Sequence, residues 1–104
     1  MSLFGFIGAG NMGYALLKAC TYTFGKDEIA YYDVSEDKCS KIYNELNIPA
    51  EGNNISVVKK CRFLVLAVKP QFLEGVSHEI KGHIDDQIII SIVAGISIDS
   101  IKSV

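Results

Sequence analysis

The stretch Leu3–Gly13, LFGFIGAGNMG, decides the fold of this chain. An apolar run typical of a buried strand ends in glycines spaced G-x-G-x-x-G, and a helical pattern follows at once. Gly8 would allow a tight turn after the strand. Gly10 would let the backbone approach a pyrophosphate, and Gly13 would let the helix pack close to the sheet. Free N–H groups at a helix start attract phosphate, so the stretch predicts a dinucleotide-binding turn.

An acidic residue further along the chain supports this interpretation. The run Glu28–Asp33 reads as a second strand, and Asp33 follows Gly13 by 20 residues. In dinucleotide-binding folds an acid at this position accepts hydrogen bonds from the ribose hydroxyls of adenosine. The alternative is a glycine-rich turn without a ligand and a solvated aspartate. The order of strand, glycines, helix and acid favours the dinucleotide.

Composition indicates one small globular domain and excludes some classes of partner. The chain has 104 residues, of which 49% are hydrophobic and 21% charged, with a net charge of −2. The lack of a basic cluster argues against nucleic acid. The longest apolar stretch, 88–95, is too short to span a membrane, and no signal peptide is visible. These features predict a cytoplasmic protein without a membrane partner.

The cysteines and histidines do not form a reactive or metal-binding pattern. Cys20, Cys39 and Cys61 are an odd number without C-x-x-C spacing, which favours reduced thiols in the cytoplasm. We interpret them as small hydrophobic residues. His78 and His83 have no partner at the spacing of a metal site, so no metal is predicted.

Strands and helices alternate along the rest of the chain. The predicted elements after Asp33 are a helix capped by Ser35, a short strand over 48–51, a helix capped at 53–54, a strand over 62–68, a helix over 71–80 and a strand over 87–94. This alternation predicts an α/β fold, a Rossmann-like doubly wound parallel sheet with strand order 3-2-1-4-5 and helices on both faces. The ligand crevice should lie between the first and fourth strands.

The carboxyl ends of three predicted strands should line this crevice. They are the glycine loop, residues 68–70 and residues 93–95. Lys69 either lies beside the nicotinamide ribose or a phosphate, or is a solvated lysine at a helix start. Pro70 would fix the turn, and Gly95 would keep side-chain bulk away from the nicotinamide; the alternative for both residues is a role in the turn alone.

Three sequence blocks resemble a known family. Phe6–Gly13, Leu66–Gln71 and Ser91–Ile98 are similar to the three signature blocks of pyrroline-5-carboxylate reductase, and the resemblance covers the whole chain. Many dehydrogenases share the glycine block, whereas the other two blocks together are specific. The resemblance implies hydride transfer from NAD(P)H to a cyclic imine, pyrroline-5-carboxylate, which gives L-proline in proline biosynthesis.

The resemblance also implies a set of cofactor-binding residues. Within it, 7–12 correspond to the pyrophosphate loop, Asn54 to the adenosine side, and 67–70 with 93–95 to the nicotinamide half. No side chain of this chain is assigned a catalytic role, and no metal ligand is named. The full predicted set is Ile7, Gly8, Ala9, Gly10, Asn11, Met12, Gly13, Asp33, Ser35, Asn54, Ala67, Val68, Lys69, Pro70, Val93, Ala94 and Gly95.

Asp33 departs from the family pattern. Many members have Ser or Thr at this position, which suits the 2′-phosphate of NADP. An aspartate accepts a hydrogen bond from a free 2′-hydroxyl and repels a phosphate. The sequence therefore favours NADH over NADPH, although Ser35 and Lys38 could partly restore phosphate binding.

The family further has a helical second half that forms the dimer and most of the substrate site. By this comparison residues 1–96 are an NAD(P)-binding domain, and 97–104 start the helix that connects to an absent helical domain. We expect the full-length protein to be a homo-oligomer through that domain and this chain alone to be inactive. The alternatives are another imine or β-hydroxyacid reductase, a non-catalytic nucleotide-binding or redox-sensing module, and a structural domain whose cleft is empty.

Overall fold

Among the residues that the structure describes, four strands form a central parallel sheet. The structure is a computed structural model that describes residues 2–92. The strands lie in the order β2-β1-β3-β4, and all three neighbouring pairs are parallel. Their bounds are β1 (Ser2–Ile7), β2 (Ile29–Tyr32), β3 (Cys61–Leu66) and β4 (Ile88–Ser91).

Within the described part of the chain, four α-helices accompany the sheet, and two of them begin with the predicted side-chain caps. Ser35 Oγ accepts a hydrogen bond from the Lys38 N–H at 3.3 Å, and Asn53 Oδ1 accepts one from the Ser56 N–H at 2.8 Å. Such caps satisfy N–H groups that have no partner inside the helix. The helices are α1 (Asn11–Phe24), α2 (Glu36–Leu46), α3 (Asn54–Lys60) and α4 (Pro70–Ile80).

The helices cover both faces of the sheet. Successive residues of a strand point to opposite faces, so Phe6 and Ile7 of β1 enter two different cores. Phe6 packs with residues of α1 and α2, including Leu17 and Ile42. Ile7 packs with residues of α3 and α4, including Leu73. The predicted doubly wound α/β fold is confirmed.

The predicted short strand over 48–51 is wrong. Among residues 2–92 this segment is irregular, and β2 is an edge of the sheet. The segment 48–51 does make a hydrogen bond of the kind that joins strands, from the Glu51 N–H to the Tyr31 carbonyl of β2 at 2.8 Å. Pro49 has no N–H to donate, and the Ile48 carbonyl accepts from the Tyr31 hydroxyl at 2.7 Å. In the numbering of the prediction, the observed order is therefore 2-1-4-5 without the third strand.

The face of α1 that packs on the sheet is not the face that its apolar spacing indicates. Met12 and Leu16 repeat at helical spacing, yet Met12 is 67% exposed and Leu16 is 37% exposed. The buried residues of α1 are Gly13, Leu17 and Cys20. Gly13 must face the sheet because it lies directly against Ala67, and this contact sets the rotation of the whole helix.

Two parts of the predicted organisation lie outside the described residues. The last strand was expected over 87–94, and the structure has β4 over Ile88–Ser91. Residues 93 and 94, and the predicted connecting helix over 97–104, are not among the described residues. The division into 1–96 and 97–104 stays a prediction.

The contact of Gly13 with Ala67 predicts a large effect of a single methyl group. A Cβ at Gly13 would lie 2.5 Å from the Ala67 Cβ, so we expect Gly13→Ala to lower the free energy of unfolding by about 1–3 kcal/mol. Gly75→Ala in α4 is the matched control, because a Cβ there meets no atom within 4 Å. It should raise stability by about 0.5–1 kcal/mol. Urea unfolding measures both, and equal effects would contradict the packing argument.

Candidate functional site

A cleft opens where β1, β2 and β3 end. Ile7, the last residue of β1, is level with Tyr32 of β2 and Leu66 of β3. The cleft has a volume of about 470 Å³, within the range of small-molecule sites. Its lining residues are Ile7, Gly8, Gly10, Tyr32, Asp33, Val34, Ser35, Lys38, Asn54, Ala67, Val68, Lys69, Phe72, Gly75, Val76 and Glu79.

The structure brings most of the predicted site residues together around this cleft. Ala9, Asn11, Met12, Gly13 and Pro70 adjoin it without lining it. Ala9 and Gly13 are buried, whereas the other three are exposed at the starts of α1 and α4. The predicted residues Val93, Ala94 and Gly95 lie outside the described residues.

The first and third motif glycines are required by the folded chain itself. Gly8 has φ +84°, a region that residues with a side chain rarely adopt. Its N–H donates to the Tyr32 carbonyl at 2.9 Å, and a Cβ would lie 2.6 Å from the Ala67 carbonyl oxygen. Together with the Gly13 contact, this brings the turn and the start of α1 against the residue that follows β3.

Gly10 differs from both of them. Its φ of −63° is open to any residue, and a Cβ would meet only the Ala67 carbonyl oxygen, at an ordinary 3.7 Å. Nothing in the packing of the described chain therefore demands glycine at this position. The absent side chain leaves the loop backbone bare at the edge of the cleft, and this opening suits a ligand that lies against the backbone.

The start of α1 adds partial positive charge beside this opening. Gly10 is the N-cap and provides no side chain to the helix, and the first turn carries no acidic residue. The N–H of Tyr14 donates to the Gly10 carbonyl at 2.8 Å, whereas the preceding N–H groups have no acceptor within the helix. These groups and the helix dipole favour an anion such as phosphate.

Asp33 is the buried acid of the cleft. Its side chain follows β2, and the residue is 9% exposed. Oδ2 accepts a hydrogen bond from the Ala9 N–H at 2.7 Å, and Oδ1 accepts one from the Ser35 N–H at 2.8 Å. The predicted ribose-binding acid thus also contacts the glycine loop, which the sequence motif did not indicate.

The opposite wall is formed by α3 and α4, and most of it was missed from the sequence. Phe72, Val76 and Glu79 line it at helical spacing. The apolar spacing of the predicted helix over 71–80 indicates that Phe72 points to the core, but Phe72 is 58% exposed, and Leu73 is buried in its place. The spacing of these three residues was a usable signal, because it defines one face of α4 that continues the cleft.

Asn54 joins the two helices of this wall. It is 7% exposed, and its Nδ2 donates to Glu79 Oε1 at 2.9 Å. Its Oδ1 is buried and has no hydrogen-bond partner within residues 2–92. The predicted adenosine-side residue, Asn54, therefore lies at the start of α3 and is held there by the carboxylate of Glu79 in α4.

The basic residues of the cleft are accessible. Lys69 is exposed at the N-cap of α4, and Lys38 is exposed in the first turn of α2. Neither lysine forms a salt bridge with another described residue. Both ammonium groups are therefore available to an anionic ligand or to solvent.

Cys20 and Cys61 fit the interpretation as small hydrophobic residues because both are buried, whereas Cys39 is half-buried. Burial raises the pKa of the Cys61 thiol to about 11 and also raises the pKa of Cys20, which keeps both thiols protonated and weakly nucleophilic at neutral pH. In the part of the chain that the structure describes, no group of three metal-binding side chains occurs. None of its helices is long and apolar enough to cross a membrane.

Comparison with known proteins agrees with this geometry. The family "NADP oxidoreductase coenzyme F420-dependent" matches residues 3–95. A pyrroline-5-carboxylate reductase of Methanosarcina acetivorans is 36% identical over 100 residues, which are 92% of this chain and 37% of the relative. The chain therefore spans little more than a third of that relative's length.

Solved structures share the fold. A pyrroline-5-carboxylate reductase from Coxiella burnetii matches with a TM-score of 0.86 and 24% identity, over 98% of this chain and 39% of that chain. A Plasmodium falciparum pyrroline carboxylate reductase, solved with NADP bound, matches with a TM-score of 0.80 and 26% identity, over 98% of this chain and 37% of that chain.

These comparisons confirm two predictions made from the sequence. The Rossmann-like fold is shared with the solved reductases. The resemblance to the amino-terminal domain of pyrroline-5-carboxylate reductases is also confirmed. Since the family match covers nearly the whole chain, this protein belongs to the family of NADP oxidoreductases described as coenzyme F420-dependent.

Proposed function

We propose that this chain is the cofactor-binding domain of a pyrroline-5-carboxylate reductase. The observation that carries the proposal is the bare loop backbone at Gly10, at the edge of a cleft that also holds Asp33. The names of the relatives supply the substrate and the reaction class, the reduction of pyrroline-5-carboxylate. The family resemblance implies that this reduction is hydride transfer from NAD(P)H to the cyclic imine, which yields L-proline.

The residues present fit a nicotinamide dinucleotide. The pyrophosphate would lie on the loop backbone at Gly10 and the N–H groups of Asn11 and Met12, where the helix dipole is favourable. The adenosine half would lie towards Asp33, Ser35 and Asn54. The nicotinamide half would lie towards residues 67–70, which line the other end of the cleft or adjoin it. The reduced nicotinamide would supply the hydride.

The substrate and the partners belong to the whole enzyme. The imine would meet the nicotinamide end of the cleft. Proton transfer and most substrate contacts would come from the part of the enzyme that corresponds to the rest of the relatives' length. Positioning is the main requirement of hydride transfer, so this chain alone should bind cofactor and turn over poorly. We propose a cytoplasmic homo-oligomer that assembles through that other part.

The coenzyme preference is proposed to be NADH. Asp33 lies at the adenosine end with its carboxylate buried, and Glu79 lines the same cleft. A 2′-phosphate beside two carboxylates would be repelled, whereas a 2′-hydroxyl can donate to one of them. Lys38 opposes this effect because it lines the cleft as an exposed cation.

Titration of the full 104-residue chain with each coenzyme tests the proposal. The chain has no tryptophan, so the fluorescence of the reduced nicotinamide can be followed directly. We expect saturable binding of NADH and NADPH, with the smaller Kd for NADH. Failure of both coenzymes to bind a folded chain would contradict the proposed role of the cleft.

Gly10→Val should abolish binding of both coenzymes without unfolding the chain. The valine would occupy the opening that the pyrophosphate is proposed to use, while its Cβ meets no described atom closer than 3.7 Å. Gly52→Val is the matched control, because a Cβ there meets nothing within 4 Å and Gly52 does not line the cleft. Unchanged coenzyme affinity in Gly10→Val would mean that the loop is only a turn.

Asp33→Ser should shift the preference towards NADPH. Removal of the carboxylate lowers the repulsion of a 2′-phosphate, and we expect the ratio of Kd for NADPH to Kd for NADH to fall by about tenfold. Asp86→Ser is the charge-matched control, since Asp86 is exposed in the turn before β4. A ratio that stays within error of the parent would contradict the assignment of Asp33 to the ribose.

A further inference from the structure

The glycine loop is attached to the end of β2 by two consecutive hydrogen bonds. The Gly8 N–H donates to the Tyr32 carbonyl at 2.9 Å, and the next N–H, that of Ala9, donates to Asp33 Oδ2 at 2.7 Å. The first bond continues the β1–β2 ladder. The second is made by a side chain, so it depends on the residue at position 33.

The same carboxylate also fixes the loop that leads into α2. Oδ1 accepts from the Ser35 N–H at 2.8 Å, a local turn in which an aspartate side chain replaces a backbone acceptor. The Cys39 Sγ–H donates to the Asp33 carbonyl at 3.3 Å. The carboxylate therefore joins the two loops that meet at the adenosine end of the cleft.

These hydrogen bonds are of the strong kind. A bond from a backbone N–H to an ionised carboxylate is shorter and roughly twice as strong as a neutral one. Ala9 is 8% exposed, so without the carboxylate its N–H would be a buried donor with no partner among the described groups. Such a donor is costly to leave unpaired, and the loop would move to reach water or another acceptor.

The two bonds leave the carboxylate able to bind ribose as well. An ionised carboxylate has about four acceptor positions, and the two N–H groups occupy one on each oxygen. Holding the loop and accepting from a 2′-hydroxyl are therefore compatible.

We infer that Asp33 is a positioning residue for the pyrophosphate loop, in addition to its proposed contact with the ribose. By holding Ala9, it fixes the backbone at Gly10 and the start of α1 in the arrangement that receives the pyrophosphate. This inference rests on the proposed function. It implies that loss of the carboxylate weakens binding even of a ligand that has no 2′-hydroxyl.

Asp33→Asn tests the inference because it keeps the shape of the side chain but removes one acceptor. Its amide can accept from only one of the two N–H groups and turns a donor towards the other. We expect this variant to weaken the binding of NADH about 30-fold and that of 2′-deoxyadenosine-NADH about tenfold. Asp86→Asn, which removes the same charge from an exposed turn, should leave both affinities unchanged.

Amide hydrogen exchange of the ligand-free chain gives a readout that does not depend on cofactor. We expect the Ala9 N–H to exchange at least about tenfold faster in Asp33→Ala, which removes both acceptor oxygens, while the N–H groups of Gly8 and Ala67 stay protected by their backbone partners.

The outcomes separate the inference from the function it rests on. Equal binding of the 2′-deoxy analogue to parent and variant, or unchanged exchange at Ala9, would overturn the positioning role. Loss of protection at Gly8 and Ala67 as well would also overturn it, because the effect would then be global. Absence of NADH binding to the parent would instead reject the proposed function, and Ala9 exchange would still report whether the carboxylate holds the loop.

Discussion

The site depends on how closely the glycine loop approaches the residue that follows β3. The Ala67 N–H donates to the Ile7 carbonyl at 2.8 Å, which continues the β1–β3 ladder one residue beyond the sheet. Gly8 and Gly13 lie so close to Ala67 that a Cβ on either would be at 2.6 Å or less from one of its atoms. Because protein interiors are rigid on this scale, the contact sets the direction in which α1 leaves the sheet. The opening at Gly10 exists because the two flanking glycines hold the loop there.

Local sequence signals predicted the parts of the fold in which the backbone conformation, packing or hydrogen bonding at one position requires a particular type of residue. Gly8 and Gly13 of the loop, the Ser35 cap and Pro70 at the start of α4 are of this kind. Segments whose partner is distant were predicted less well. Residues 48–51 read as a strand, but Pro49 lacks a donor and the Ile48 carbonyl is taken by a tyrosine from β2. Tertiary contacts decide which group the Ile48 carbonyl accepts from, and the residues of the segment alone do not reveal those contacts.

The candidate site was predictable to a similar extent. The spacing of the motif indicated the loop and Asp33, because dinucleotide-binding folds place the glycines and the acid at fixed distances from each other in the sequence. The wall on α4 was missed because the apolar period of that helix permits two orientations, one with Phe72 inward and one with Leu73 inward. Burial of Leu73 against the core decides between them and turns Phe72 to the cleft. The hydrogen bond from Ala9 to Asp33 joins residues 24 positions apart, and only the folded chain reveals it.

Under the proposed function, this hydrogen bond links coenzyme choice to the shape of the loop. A serine at position 33 would remove the charge that opposes a 2′-phosphate, but its single hydroxyl oxygen is on a shorter side chain and cannot hold both N–H groups as a carboxylate does. Relief of repulsion and loss of loop support would then act on the same ligand with opposite signs. A change of coenzyme that keeps its affinity therefore needs a second acceptor for the Ala9 N–H. In this fold the proposed ribose contact and the proposed pyrophosphate contact are not independent, because one buried carboxylate lies between them.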